Sequence, residues 1–262
     1  MNVDQVRSDL LDEQDALDVI VSGFGSDEWL KQTPSPRWSV ADQIAHLTYF
    51  DSTAVTAIKD PENFQNLVSE LLSMIGDATQ AENFTLAMYR EMDHSQLLQA
   101  WREGRQKLAE AASSLKDNDR VVWYGPSMGS KSFLTARLME VWAHGQDIID
   151  AVGMTRESTE RLKHIAQLGF ITRSWSYINR GLEPSVVPVR VLLTSPSGDI
   201  WEFGEGDAVE SITGTASDFC LVTTQRRNLT DTELAVDGLA AREWMTIAQA
   251  FAGPATDGPN PS

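Results

Sequence analysis

The sequence predicts a helical N-terminal part followed by a smaller α+β part. Up to about residue 182, apolar residues recur at helical spacing between charged ones, as in residues 4–23 and 94–115. Beyond that point, short β-branched runs are separated by Ser-Gly and Gly-rich turns, which is typical of strands. We therefore expect a helical domain at 1–182, an α+β domain at 183–254 and a disordered tail at 255–262.

The helical part is divided by its loops and caps. Residues 25–38, GSDEWLKQTPSPRW, contain two prolines and predict a loop. Ser39 follows, and its hydroxyl can accept from the backbone amide three residues on, so we expect it to cap the next helix. Asp42 adds the negative charge that a helix N-terminus favours. Short helical pieces are expected at 60–92, broken by Pro61 and Gly76, and one longer helix at 94–115. After a loop at 116–129, we expect a helix that Ser130 caps and that ends at Gly153, and then another helix at 157–181.

The second part mixes strand and helix patterns. PSVVPVRVLLTSPSGDIWEFGEGDAVESITG predicts three strands. DFCLVTTQRR fits either type of element, and TELAVDG predicts a strand. GLAAREWMTIAQAFAG has the spacing of an amphipathic helix, which completes the α+β pattern.

Composition excludes several classes of function. The 262 residues are 42% hydrophobic, enough for a sizeable core. The formal net charge of −17 argues against binding to nucleic acid or to anionic membranes. A single cysteine excludes an intrachain disulfide. With no signal-peptide pattern and no apolar run of about 20 residues, we expect a soluble cytoplasmic protein.

Three polar residues within apolar helices suggest a metal site. Glu140 and His144 are four residues apart, so their side chains share one helix face. His46 lies among apolar residues on another predicted helix. Together they would give three ligands and leave a fourth position open, the pattern of catalytic zinc, although iron, nickel or manganese accept similar ligands. The alternative is a Glu–His hydrogen bond on a helix surface beside a histidine satisfied within the core.

Other candidates favour structural roles. We expect His94 at a helix start, His164 on a helix surface and Cys220 in the core. Asp147, three residues after His144, would either orient that imidazole or cap the helix surface.

The motif TPSPRWSVADQIAHL, followed by RLMEVWAHGQDI, resembles the mycothiol-dependent maleylpyruvate isomerase family of DinB-like, metal-binding four-helix-bundle proteins of actinobacteria. WYGPSM, TARLMEVWAHGQD and SDFCLVTTQRR are similar to stretches of a subgroup described as metal-binding. The resemblance implies a DinB-like bundle followed by a small sterol-carrier-like α+β domain. It also implies that His46, Glu140 and His144 bind zinc or another divalent metal.

The resemblance further implies a thiol reaction. In the family, mycothiol adds as a thiolate to the double bond of maleylpyruvate, permits rotation and leaves; in S-transfer the thiol stays attached. Arg226 and Arg227 are candidate catalytic anchors for an acidic substrate, with a solvated charged turn as the alternative. Trp38, Tyr124 and Trp142 are candidate contacts for the thiol, with core packing as the alternative. The expected partners are a small substrate and a low-molecular-weight thiol, and a homo-oligomer is compatible with the sequence.

Two other functions remain open from the sequence. In the first, the same metal site activates water and the protein is a hydrolase. In the second, the bundle carries a metal without catalysis and the second domain binds an apolar ligand.

Overall fold

The computed structural model describes residues 2–73, 78–125 and 127–261, and the chain divides into two compact units, Met1–Thr155 and Arg156–Ser262. The described elements of the first unit are α1 (Val3–Val21), α2 (Ser26–Trp29), α3 (Val40–Lys59), α4 (Pro61–Leu72), α5 (Ala78–Arg90), α6 (His94–Ala112), β1 (Arg120–Val121), β2 (Met128–Gly129) and α7 (Ser130–Val152). Those of the second unit are α8 (Leu162–Ile171), α9 (Arg173–Ile178), β3 (Val189–Thr194), β4 (Ile200–Phe203), β5 (Glu210–Thr215), α10 (Ala216–Thr223), a 3-10 turn (Leu229–Asp231), β6 (Ala235–Asp237) and α11 (Leu239–Ile247).

Four long helices build the core of the first unit. α3 packs against α6 and α7, and α1 packs against the same two helices. Apolar residues at helical spacing, such as Leu10 and Leu17 of α1 or Leu134 and Leu138 of α7, are buried. The predicted four-helix bundle is confirmed.

The start of α3 has the predicted cap. The Ser39 hydroxyl accepts from the backbone amide of Asp42 at 3.3 Å, and the Asp42 carboxylate accepts from the Ser39 amide at 2.9 Å. Arg90, at the end of α5, donates to the other Asp42 oxygen at 2.7 Å. The N-terminal end of the helix that carries His46 is therefore fixed from two sides.

The predicted loops contain short elements. Residues 26–29 form one helical turn, and residues 120–121 pair with 128–129 as a two-stranded ribbon. Elements this short carry no periodic signal in the sequence. Pro61 stands at the first position of α4, where its missing amide hydrogen does no harm, while Gly76 lies outside the described residues.

The predicted cap at Ser130 is wrong. Gly129 precedes the helix with extended backbone, and Ser130 is already its first residue. The Ser130 hydroxyl instead donates to the carbonyl oxygen of Lys116 at 2.7 Å, which fixes the preceding loop to the helix. The other end is as predicted, since α7 ends at Gly153 with a left-handed φ of 70°.

The second unit contains a four-stranded mixed sheet in the order β4-β3-β5-β6. β3 is antiparallel to β4 and parallel to β5, and β5 is antiparallel to β6. The three strands, the later strand TELAVDG and the last helix are confirmed. DFCLVTTQRR, ambiguous in sequence, starts as helix α10 because the Thr215 hydroxyl accepts from the Asp218 amide and caps it.

The segment between the bundle and the sheet differs in detail from the prediction. The single helix expected at 157–181 is two helices, α8 and α9, which meet at Thr172. Both helices belong to the second compact unit, whereas the predicted domain boundary lies later, at 182/183. Residues 255–261 form no helix or strand, although the Gln225 amide donates to the Thr256 carbonyl oxygen at 2.8 Å. Among the described residues, no helix is both long and apolar enough to cross a bilayer.

Candidate metal centre

His46, Glu140 and His144 converge inside the first unit. α3 supplies His46, and α7 supplies the other two from adjacent turns of one face. One donor atom from each side chain lies within 4.8 Å of the others. A single oxygen of Glu140, Oε2, lies 3.1 Å from Nε2 of His144 and 3.6 Å from Nε2 of His46. Both imidazoles thus direct the same ring nitrogen towards one carboxylate.

The cluster is partly open to solvent. The side chains of His46 and Glu140 are 17% and 22% exposed, and that of His144 is 9% exposed. A fully enclosed cluster could hold only an ion, whereas this exposure leaves room for a further small group to approach. Such an opening separates catalytic metal sites from structural ones.

Gln43, which the sequence analysis did not select, orients His144. Its side-chain oxygen lies 2.5 Å from Nδ1 of His144, and its amide nitrogen donates to the Thr33 hydroxyl at 2.8 Å. Thr33 uses its only hydroxyl hydrogen on the Trp38 carbonyl, so it must accept from Gln43, and this fixes the orientation of the amide. Nδ1 of His144 therefore carries the hydrogen. Its Nε2 faces the carboxylate, and either a proton or a cation must lie between them.

Trp38 covers the two imidazoles. Its ring centroid lies 5.0 Å from that of His46 and 6.0 Å from that of His144, nearly parallel to the latter. The loop that carries Trp38 is held to the start of α3, because the Thr33 amide donates to the Trp38 carbonyl and the Val40 amide to the Lys31 carbonyl. Trp38 therefore lies beside the two imidazoles, and its role as a contact for the thiol stays a prediction.

Aromatic side chains extend the site on its other side. Phe50, one turn after His46, packs against that imidazole at 4.5 Å between centroids. Tyr124 and Trp123 pack edge-on against Phe50 at 5.4 and 6.4 Å. Tyr124 therefore approaches the cluster through Phe50, and the WYG segment forms part of an apolar wall next to it.

The protonation states of the cluster suit metal ligation. Burial, with a smaller contribution from the neighbouring His144, lowers the pKa of His46 to about 4. Burial alone would raise the pKa of Glu140, but its interactions with the two imidazoles hold that pKa well below the ordinary value. At neutral pH a neutral His46 and an ionised Glu140 result, which are the forms that coordinate cations.

The other predicted site residues lie apart from this cluster or in the second unit. Trp142 is buried, with 6% exposure, and stands two residues from both Glu140 and His144, on roughly the opposite face of α7. Arg226 and Arg227 follow α10 in the second unit, where their guanidinium groups donate to the carbonyl oxygens of Thr224 and Arg226. Roles for these three residues in substrate or thiol binding stay predictions.

The residues assigned structural roles have mixed outcomes. His94 begins α6, and Cys220 is fully buried, both as predicted. His164 is buried at 5% exposure, so its prediction as a surface residue is wrong. Its helix, α8, packs against α10 and β4, and helical spacing alone could not reveal these contacts. Asp147 stays 3.8 Å from Nδ1 of His144, and Gln43 takes the orienting position instead.

The donor set fits a divalent cation. Two imidazole nitrogens and a carboxylate oxygen are the ligands that catalytic zinc sites use, and mixed nitrogen and oxygen donors also suit iron, nickel or manganese. Because Nδ1–H of His144 is held by Gln43, the lone pair on Nε2 of the same ring points into the cluster. Metal-binding histidines are commonly oriented by an outer hydrogen bond of this kind. The three residues present would hold such an ion without rearrangement of either helix.

Fold and site define a class of protein with an N-terminal four-helix bundle and a His–Glu–His cluster on two of its helices, followed along the chain by a small mixed α/β unit. Residues 10–149 match the family model of the mycothiol maleylpyruvate isomerase N-terminal domain, and the chain belongs to this family.

Relatives and solved structures agree with this assignment. An uncharacterized protein of Mycobacterium tuberculosis, recorded in two strains, is 41% identical over 247 residues, or 94% of this chain and 95% of that protein. The crystal structure of the mycothiol-dependent maleylpyruvate isomerase superposes with a TM-score of 0.58 at 16% identity. A histidine-to-alanine mutant of that enzyme gives 0.59 at 15% identity, and each comparison covers 90% of this chain and 93% of the other.

Proposed function

We propose that this protein binds a divalent metal, zinc in the simplest case, on His46, Glu140 and His144 and activates a low-molecular-weight thiol there. The thiol we propose is mycothiol, and the reaction is isomerisation of a small electrophilic substrate or S-transfer to it. The observation that carries the proposal is the meeting of three donor atoms within 4.8 Å at a partly exposed position.

A divalent cation at this position would lower the pKa of a thiol that approaches the open side, so that the thiol reacts as thiolate. The protein supplies the geometry for this step. Gln43 accepts the Nδ1 hydrogen of His144, which leaves Nε2 as the ring nitrogen that can bind the ion, and Glu140 adds one negative charge that offsets part of the charge of the ion. Trp38 covers one side of the imidazoles and so restricts the direction from which a thiol can approach.

The surroundings of the cluster favour a substrate with an apolar part. Phe50, Trp123 and Tyr124 place aromatic rings next to the cluster and give it an apolar wall. In the isomerisation, a thiolate adds to an activated double bond, the adduct rotates and the thiolate leaves, so that the thiol is recovered unchanged. A wall of this kind would protect the adduct from water. Arg226 and Arg227 are the proposed anchors for a carboxylate of the substrate.

The proposal is tested with cobalt in place of the native ion. On addition of mycothiol, we expect the cobalt-loaded protein to gain a thiolate-to-cobalt charge-transfer absorption, because the thiol enters the open coordination position. S-methylated mycothiol, which has no free thiol, should give no such band. His94→Ala is the matched protein control, since His94 lies in the same unit but stacks on Trp29 away from the cluster.

Two results would count against the proposal. Cobalt binding that is equally strong in His46→Ala would place the metal elsewhere. A cobalt-loaded protein that shows no band with mycothiol, but hydrolyses an ester or amide without added thiol, would favour activation of water instead.

Gln43→Ala gives a further prediction. The loss of the orienting oxygen lets the His144 imidazole rotate and change its tautomer, so we expect cobalt affinity to fall by about 10- to 100-fold. The measurement is a titration of the cobalt absorption bands. Thr33→Ala should have the same direction and a smaller effect, because it acts one hydrogen bond further out. Unchanged affinity in Gln43→Ala would contradict the orienting role.

A further inference from the structure

A buried ion pair lies inside the first unit, apart from the metal ligands. Nη2 of Arg137 donates to Oδ1 of Asp51 at 2.9 Å, and its Nε contacts the same oxygen at 3.3 Å. The two side chains are 3% and 0% exposed. Gln14 donates to the other Asp51 oxygen at 3.2 Å, so that α1, α3 and α7 are joined at one point.

The pair connects the same two helices that supply the metal ligands. Asp51 lies on α3, five residues after His46, and Arg137 lies on α7, three residues before Glu140. Any sliding or rotation of α3 against α7 would therefore stretch the ion pair and displace His46 from Glu140 together. Both guanidinium contacts are made inside the bundle, and Arg137 is 2% exposed.

Stability alone does not account for such a pair. A buried ion pair contributes little compared with apolar residues of similar volume, because desolvation offsets most of the attraction. What it adds is a directional contact that apolar packing between helices lacks. A site built from separate elements needs its ligands held to within about 0.5 Å of the productive geometry. A directional contact between the two helices would supply that precision.

We propose that Arg137 and Asp51 are positioning residues that fix the register of α3 against α7 and thereby set the metal affinity of the His46–Glu140–His144 cluster. This inference rests on the proposed function, since it requires that the cluster binds a metal. Neither residue is one of the proposed ligands.

The experiment replaces both partners by apolar residues in the double variant Asp51→Leu/Arg137→Met. This removes both charges together, so no unpaired charge stays buried, and we expect the bundle to fold. We expect native-like circular dichroism and cooperative unfolding of the metal-free form. We also expect the dissociation constant for cobalt to rise by about tenfold or more, with altered intensity of the cobalt d–d bands as the ligand geometry relaxes.

The matched control is Asp18→Asn. Asp18 pairs with Arg102 and Arg105 and so links α1 to α6, neither of which carries a ligand. Its cobalt affinity should equal that of the wild type. A folded double variant that binds cobalt within about twofold of the wild type, well below the tenfold change expected, would overturn the inference.

Two further measurements keep the outcome decisive. If the double variant does not fold, Arg137→Lys replaces it, because lysine keeps the charge but loses the planar fork. Weaker cobalt binding than in Asp18→Asn would then support the inference, and equal binding would overturn it. A wild type that binds no cobalt would refute the proposed function and the inference with it, whereas wild-type binding matched by the double variant refutes the inference alone.

Discussion

Replacement of His144 by alanine is expected to abolish metal binding at micromolar cobalt. The substitution removes one of three donors and also the hydrogen bond that His144 donates to Gln43, so the loss should exceed the roughly 100-fold expected for an outer partner alone. Alanine is the best helix former, so α7 should persist. Thiol-dependent isomerase or S-transferase activity should fall to background in the same variant. The readouts are cobalt titration, zinc content of the purified protein and turnover with mycothiol.

The comparison for this experiment is Glu140→Gln, which keeps the shape of the side chain but removes its charge. It should bind cobalt more weakly than the wild type and more strongly than His144→Ala, since an amide oxygen is a poorer ligand than a carboxylate. A His144→Ala protein that retains full zinc content would show that the bound zinc does not use this imidazole.

Arg137→Met is expected to destabilise the first unit by about 3–5 kcal/mol, because it leaves the buried Asp51 without its cation. The carboxylate would then keep the amide of Gln14 as a neutral hydrogen-bond partner. Urea unfolding followed by circular dichroism gives the change in free energy. Arg102→Met is the control, because Arg102 is 41% exposed and its ion pair should contribute about 1 kcal/mol or less.

The destabilisation should depend on pH in a defined direction. Burial already raises the pKa of Asp51, against the Arg137 guanidinium, and removal of that guanidinium raises it further. The pKa of Asp51 is higher in the folded state than in the unfolded state. The free energy of unfolding therefore keeps its full value below the unfolded pKa and falls as the pH rises through the folded pKa. The deficit of Arg137→Met against the wild type should thus be larger at about pH 8 than at about pH 5. An equal deficit at both pH values would show that removal of the guanidinium does not change proton binding at Asp51, which would contradict this prediction.

The sequence predicts the parts of this protein that depend on periodicity and local chemistry. The long helices, the Ser39 cap and the Gly153 terminus follow from spacing and from backbone preferences that each residue carries with it. The Glu140–His144 pair is likewise local, since four residues make one turn. His46 could be joined to that pair only because it is also a polar residue within an apolar helix and because the surrounding motif resembles the family, since no rule of spacing connects two separate helices.

What the sequence could not predict depends on contacts between distant segments. Gln43 faces His144 from another helix, and its only sequence signal is its place three residues before His46, on a neighbouring face of α3. The partnership of Arg137 with Asp51 and the burial of His164 are of the same kind. Each is settled by which surfaces pack together, and one-dimensional patterns do not contain that information.

The distribution of donors over two helices has a consequence for how the protein would acquire an ion at this cluster. Glu140 and His144 stand ready as soon as α7 is helical, but the third donor arrives only when α3 has docked on it. Occupancy is then thermodynamically linked to that docking, and every tenfold of free ion above the dissociation constant adds about 1.4 kcal/mol to the folded form. The cellular supply of the ion would thereby govern how long the bundle survives heat or proteolysis, as well as how fast it turns over substrate.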